Sequence, residues 1–267
     1  MREMWELRPG HRVRLDAIDP SSTPGIKGGK ETANGDKVAF QRHLAELQDR
    51  LWAEAKRSLL VVLEGMDASG KDGTIKHVFQ GVNPQAVHVT AFKVPTGEEL
   101  EHDFLWRIHR ALPRRGDIGV FNRSHYEDVI AARVRGLVPK PLWRARYQSI
   151  VDFERELVQE GTTIVKFCLL ISKDEQKRRF EERLAVPSKR WKFAMGDVAD
   201  RTLWDEYRRA YEDALEATST HDAPWYVIPA DHKWYRDWAV DHVLVETLRE
   251  MDPRYPTPPD LDGIVIT

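Results

Sequence analysis

Residues 59 to 74, Leu-Leu-Val-Val-Leu-Glu-Gly-Met-Asp-Ala-Ser-Gly-Lys-Asp-Gly-Thr, confine this chain to few folds: an aliphatic run breaks into glycines and a lysine where a helix should begin. Gly65 and Gly70 bracket four residues and Lys71 follows, which is the G-x-x-x-x-G-K spacing of a phosphate-binding loop. In such a loop the backbone from Met66 through Ala68, Ser69 and Gly70 to Asp72 and Gly73 curls around phosphate oxygens, and Lys71 adds a mobile positive charge. The pattern departs from the usual one at Asp72, which stands where Ser or Thr normally lends a hydroxyl to magnesium. An acid in the first turn of a helix favours the macrodipole, so Asp72 is read as a cap rather than a catalytic group.

A second acid, Asp67, lies inside the loop. A carboxylate about 4 Å from a phosphate charge is repelled by roughly 4 kcal/mol at an effective dielectric of about 20, so something positive must intervene. The economical choice is a hydrated Mg²⁺ held by Asp67 and bridging phosphate oxygens, replacing the ligand lost with the hydroxyl.

At 267 residues the chain suits one α/β domain with insertions. Hydrophobic residues make up 41% and charged residues 31%, a soluble profile. No apolar run approaches the about 20 residues needed to span a bilayer, and the start Met1-Arg-Glu-Met-Trp does not look like a signal peptide, so no membrane is expected. A single cysteine, Cys168, excludes an intramolecular disulfide and fits the cytosol. The net charge of −2 argues against a nucleic-acid partner. Local charge differs: from Lys173 to Lys192 eight Lys/Arg face four acids, a net +4. Such a run is either a solvated helix face or the meeting place of a polyanion.

Residues 1 to 36 read as an irregular arm, with Gly28-Gly29 opposing regular structure. A helix follows, carrying Phe40, Leu44, Leu47 and Leu51 on one stripe. Strands are expected at Leu59 to Leu63, Val87 to Phe92, Ile118 to Phe121, Thr163 to Leu170 and Trp225 to Ile228. Continuous apolar strands separated by helices imply a parallel five-stranded sheet sandwiched by helices, with ligands at the strands' carboxyl ends. The kinase-like domain would run over 37–251, with a lid at about 173–200. The tail 252–267 reads as a passive terminus.

After the second strand, Thr96-Gly97-Glu98-Glu99 forms a capping box in a loop that commonly receives a phosphoryl acceptor. The third strand ends in Asn122-Arg-Ser-His-Tyr-Glu-Asp, where enzymes with such loops often carry a magnesium-binding acid. Asn122 can orient a water or the metal but brings no charge, so Asp67 would bear more of the metal burden, with Glu127 or Asp117 to assist. Arg123 and Arg133 either clamp phosphates or pair with Glu127 or Asp128. His125 is read as a hydrogen-bonding rather than catalytic residue. In the basic segment Arg179 and Arg183, i and i+4, would close over charge on a transferring phosphoryl group, and Lys189, Arg190 and Lys192 would extend the track. Trp191 and Phe193 read as packing anchors, and Pro187 should end the helix.

These motifs, with Arg190-Trp-Lys-Phe and Trp225-Tyr-Val-Ile-Pro-Ala, resemble the polyphosphate kinase 2 family along nearly the whole chain. The resemblance implies a P-loop kinase fold like thymidylate kinase, a helical lid and a homo-oligomer, dimer or tetramer. Family members move phosphate between inorganic polyphosphate and nucleotides. Asp67 and Lys71 match the family's essential loop residues, and Arg179 and Arg183 fall among its lid arginines. Asn122 followed by Glu127 looks like the class III branch, which accepts nucleoside mono- and diphosphates. The expectation is a Mg²⁺-dependent transfer from polyphosphate to AMP and ADP, with GMP and GDP as further acceptors. An ATP-dependent nucleoside or nucleotide kinase and a non-catalytic polyphosphate-binding regulator are the alternatives.

Overall fold

The computed structural model describes residues 1–260, so the last part of the expected tail lies outside the described residues. Five strands form one parallel sheet: β1 (Ser58–Glu64), β2 (Val87–Ala91), β3 (Ile118–Asn122), β4 (Thr162–Leu170) and β5 (Trp225–Pro229). Their spatial order is β2-β3-β1-β4-β5. The helices are α1 (Gly29–Glu54), α2 (Lys71–Val78), α3 (Gly97–Leu100), α4 (Trp106–His109) and α5 (Ala131–Val134). They continue with α6 (Lys140–Gln159), α7 (Lys173–Ala185), α8 (Met195–Thr202), α9 (Trp204–Thr218) and α10 (Lys233–Met251). Among the described residues no helix is long and apolar enough to cross a membrane.

Strand alternation divides the core into two layers. Leu59, Val61 and Leu63 of β1 face α1 and α10, where Leu44, Leu47, Leu51 and Val240 meet them. Leu60 and Val62 face the other way, against Ile150 and Phe153 of α6 and Leu215 of α9. Every residue of β1 is buried, as a central strand of a doubly covered sheet requires. The edge strand β2 is the exception. With a neighbour on one side only, it leaves Val89 50% exposed.

The N-terminal segment departs from the sequence expectation. α1 begins at Gly29, not after residue 36, and Gly28 serves as its N-cap in the left-handed region (φ +86°). The two glycines supply a backbone turn that other residues resist, so they start the helix instead of preventing it. Nor is the preceding arm wholly irregular. Leu7 N–H donates to Trp225 O and Val227 N–H to Trp5 O, both at 2.8 Å, which pairs the arm antiparallel to β5 and covers that sheet edge. Trp5 is buried, donates its indole N–H to Tyr235 (2.9 Å) and packs edge-on against Trp238.

Beneath the carboxyl end of β3 the core contains charge. Lys166 Nζ contacts Glu154 Oε2 at 2.5 Å and donates to Tyr126 Oη (3.0 Å) and Thr218 O (2.8 Å). Tyr126 Oη donates to Glu154 Oε1 (2.8 Å), and His125 Nε2 lies 3.3 Å from the same oxygen. His125 and Tyr126 belong to the segment that bears Arg123 and Glu127, so this network anchors that segment from below.

A buried ion pair costs most when one partner is removed. Glu154→Leu should therefore lower unfolding free energy by about 3–5 kcal/mol, and the double variant Glu154→Leu/Lys166→Met should recover most of the loss. Urea denaturation of both variants checks this; equal losses would contradict it.

Candidate active site

β1 delivers the chain into the loop through Gly65 (φ +140°), where a Cβ would stand 2.6 Å from Leu169 O. The backbone turns left-handed again at Ala68 (φ +64°) and at Gly70 (φ +111°) before α2 begins at Lys71. Alternating right- and left-handed residues turn successive amides toward one concave side, which suits an anion. Lys71 is buried, with Nζ 2.6 Å from Gly65 O and 3.5 Å from Met66 O. Burial, then the charge of Arg123, pushes its amine below the ordinary lysine value, while Asp67 and Glu64 pull it back.

Parallel pairing sets Leu63 beside Asn122, so the end of β3 lies next to the loop. Arg123 takes a left-handed conformation (φ +63°), its N–H donating to Leu63 O at 3.0 Å. Its guanidinium contacts Asp67 directly and lies 3.5 Å from Glu127. Burial opposes the charge of Arg123, but Glu127 and Asp67 outweigh it and hold the guanidinium well above its ordinary value. The positive charge beside Asp67 is thus supplied by Arg123, a partner that the sequence reading assigned to phosphates or to Glu127 and Asp128.

Among the described residues no three His, Cys, Asp or Glu are grouped so as to hold a metal. Mg²⁺ nonetheless keeps its waters and takes one or two carboxylates plus phosphate oxygens, and the all-oxygen pair Asp67 and Glu127, both on one arginine, fits that habit. Asn122 Nδ2 donates to Asp72 Oδ1 at 2.8 Å, which ties the end of β3 to the first turn of α2. Asp72 also receives Lys192 Nζ at 3.0 Å. Asp72 lies in the first turn of α2, where an acid favours the macrodipole as expected, but it makes no capping hydrogen bond, the N-cap being Gly70. Partial desolvation of exposed Asp72 is more than offset by Asn122 and Lys192, which keep its pKa below the ordinary value.

The lid arginines part company. Arg179 is buried, with Nε donating to Glu175 (2.7 Å), Nη1 to Ala68 O (2.8 Å) and Ser69 O (3.0 Å), and Nη2 to Ala230 O (2.6 Å) and Asp231 O (2.9 Å). All five of its donors are engaged, so Arg179 supports the loop from outside and does not reach over a phosphoryl group. Arg183 stands 3.6 Å from Asp197 of α8. Lys189 pairs with Glu182, and Arg190 donates to Leu184 O at 2.8 Å. Helix α7 ends before Pro187, as expected. Phe193 packs edge-on against Phe180, whereas Trp191 is 78% exposed, with Lys192 Nζ 5.0 Å from its ring, and is not the packing anchor expected.

On the acceptor side the capping box forms: Glu99 N–H donates to Thr96 Oγ1 (3.3 Å) and Thr96 N–H to Glu99 Oε2 (2.8 Å). Gly97 and Glu98 open α3, with Glu98 3.9 Å from Arg110. An open cavity of ≈ 490 Å³ adjoins them, bounded by Thr96, Glu99, Trp106, Arg107 and Arg110. Arg133 takes the pairing alternative, with an acid other than Glu127 or Asp128. It pairs with Asp213 (2.6 Å) and lies over Trp143, tying α5 to α9 and α6.

A family model of polyphosphate kinase 2 matches residues 28–256. The chain belongs to the polyphosphate kinase 2 family. It is 54% identical to the AMP/ADP-polyphosphate phosphotransferase of Meiothermus ruber over 254 residues, 95% of each chain. It is 46% identical to the ADP-polyphosphate phosphotransferase of Rhodopseudomonas palustris, covering 80% of this chain and 78% of that one. The crystal structure of polyphosphate kinase 2 from Arthrobacter aurescens TC1 superposes with a TM-score of 0.93, at 46% identity, over 97% of this chain and 92% of that one. The sheet, its flanking helices and the phosphate loop are those of a P-loop kinase.

In this polyphosphate kinase 2 chain, sequence reasoning missed Glu64, Gln176, Asp197 and Arg236. Glu64 ends β1 directly before the loop, fully buried, with Oε1 accepting from Ser124 (2.8 Å) and Oε2 without a partner. Burial, then the charge of Glu127, raises its pKa to about 8. An acid closing an aliphatic strand was the available signal. Asp197 is likewise raised, by burial and then by Asp67, which places the lid's acid in the field of the loop's.

The folded value of Glu64, about 8, exceeds the ordinary 4.5. Its contribution to stability is then fully present below the unfolded value and lost as pH rises through the folded one, with a slope of at most about 1.4 kcal/mol per pH unit. Glu64→Gln cannot titrate, so its stability relative to wild type should climb between pH 4.5 and 8 and level off above. Denaturant unfolding across that range reads the difference, and a pH-independent offset would be the contrary result.

Proposed function

We propose that this chain transfers the terminal phosphoryl group of inorganic polyphosphate to AMP and ADP, giving ADP and ATP. One observation carries the reading: Lys71, Asp67 and Arg123 converge where β1 and β3 end, on a loop built to wrap an anion. The names of the Meiothermus ruber and Rhodopseudomonas palustris relatives support both nucleotides as acceptors. GMP and GDP belong to the same acceptor class, since phosphoryl transfer needs no base chemistry.

The loop amides and Lys71 hold one reacting phosphate and offset its charge. Arg123, with a guanidinium between Asp67 and Glu127, stands where it can exchange a carboxylate for phosphate oxygens. Arg183, with one acidic neighbour at 3.6 Å, is the lid arginine free to gather charge as the bond to the leaving phosphate lengthens. Lys189, Arg190 and Lys192 continue the positive surface along which a longer anion can lie. Asp67, with Glu127, would hold Mg²⁺, which neutralises phosphate oxygens when bound. Transfer is direct between the two phosphates, so positioning and charge neutralisation supply the rate. The reading includes a cytoplasmic enzyme, consistent with the buried free thiol of Cys168, and a homo-oligomer as the family resemblance implies.

Purified protein given polyphosphate, Mg²⁺ and AMP without ATP should form ADP and then ATP. Lys71→Met should lower kcat/KM by about 100-fold or more while leaving the melting temperature close to wild type. Product formation only on addition of ATP would favour the ATP-dependent kinase, and polyphosphate binding without turnover would favour a regulator.

A further inference from the structure

Turning a loop's amides toward a ligand turns its carbonyls the other way, and in this chain three consecutive carbonyls are gripped by side chains from two distant helices. Gln176 Nε2 donates to Asp67 O at 2.9 Å. Arg179 Nη1 donates to Ala68 O and Ser69 O at 2.8 and 3.0 Å. Arg236 Nη1, from α10, reaches Ser69 O at 3.3 Å. All three side chains are buried, and Arg236 is held in turn by Asp237 through Nε (2.9 Å) and Nη2 (2.6 Å). Asp237 also receives Thr74 Oγ1 of α2 at 3.3 Å.

The glycines of the motif complete the picture. A Cβ on Gly70 would stand 1.8 Å from Arg236 Nη1, and one on Gly73 would stand 3.2 Å from Nη2. Gly70 therefore serves twice: it permits a left-handed turn, and it lets a guanidinium approach the back of the loop.

We propose that Gln176, Arg179 and Arg236 are positioning residues that hold the phosphate loop in its anion-binding curvature by clamping the carbonyls of Asp67, Ala68 and Ser69. None of the three touches the phosphate; they act through the backbone. Their two guanidinium groups also place positive charge directly behind the anion. The first turns of α7 consequently form a fixed floor, and the part of the lid able to swing begins beyond Arg179.

The inference rests on the phosphate-loop reading, and inorganic tripolyphosphate separates the two. Calorimetric titration of wild type with tripolyphosphate should show binding. Gln176→Met and Arg236→Lys should bind about tenfold or more weakly, the effect of losing one charge-assisted or buried hydrogen bond, with the folded fraction verified by circular dichroism. Added guanidinium should restore affinity to Arg236→Ala and leave wild type unchanged. A residue that merely stabilised the fold would lower the melting temperature without altering the affinity of folded protein. Wild-type affinity in both Gln176→Met and Arg236→Lys would overturn the clamp. Failure of wild type itself to bind tripolyphosphate would instead overturn the phosphate-loop reading. Should Arg236→Lys not fold, Gln176→Met alone decides.

Discussion

Backbone amides cannot be collected on one side of a tight loop without leaving carbonyls on the other, and buried carbonyls need donors. That constraint organises the center of this molecule. Helix α7 brings Arg179 and α10 brings Arg236 to meet that need. The loop is consequently less a local turn than a junction of four elements: β1 leads in, α2 leads out, and α7 and α10 hold it from behind. A chain with the same sixteen residues on another scaffold would lack the outer half of the site.

Charge at the inner half is balanced with similar economy. Lys71 and Arg123 face Asp67 and Glu127, with Glu64 held largely protonated beside them by its burial, so the site is not simply a basic pocket. An arginine already paired with two acids costs little to hold in place, whereas an unpaired one would repel Lys71. The Asp67 contact to Arg123 also shows how an acid survives within an anion-binding loop. The positive neighbour here is a protein side chain, where the sequence pointed to Mg²⁺.

What could be read in the sequence follows from the range of each interaction. All five strands were legible, because aliphatic runs between helical segments have one economical burial, and their bounds differ by a residue or so. The phosphate loop was legible because its spacing is local. Arg179 was misplaced because helical periodicity tells which side chains share a face, not what lies opposite. One turn separates it from Arg183, yet one meets backbone carbonyls and the other an acid on α8. Arg133 was ambiguous for the same reason, its partner Asp213 lying 80 residues away. Arg236 was invisible as a loop residue, since 167 residues separate it from Ser69. The start of α1 was misjudged because paired glycines read as breakers unless the left-handed cap they make is seen.

The contacts between lid and loop differ in strength in a way that suits turnover. Gln176 and Arg179 are buried and hydrogen-bonded, so separating them from the loop would strand polar groups at about 1–3 kcal/mol each. Lys192 reaches Asp72 across an exposed surface, and such a pair contributes about 0–1 kcal/mol. Between them, at Val186-Pro187, α7 gives way to a 3-10 turn over Pro187–Lys192. The segment carrying Lys189, Arg190, exposed Trp191 and Lys192 is held back onto α7 by the Lys189–Glu182 pair and by Arg190 donating to Leu184 O, and it reaches the loop helix through the exposed Lys192–Asp72 pair. Asp72, in the place of the customary hydroxyl, thus joins Asn122 at the end of β3 to Lys192 of the basic segment, from the first turn of α2.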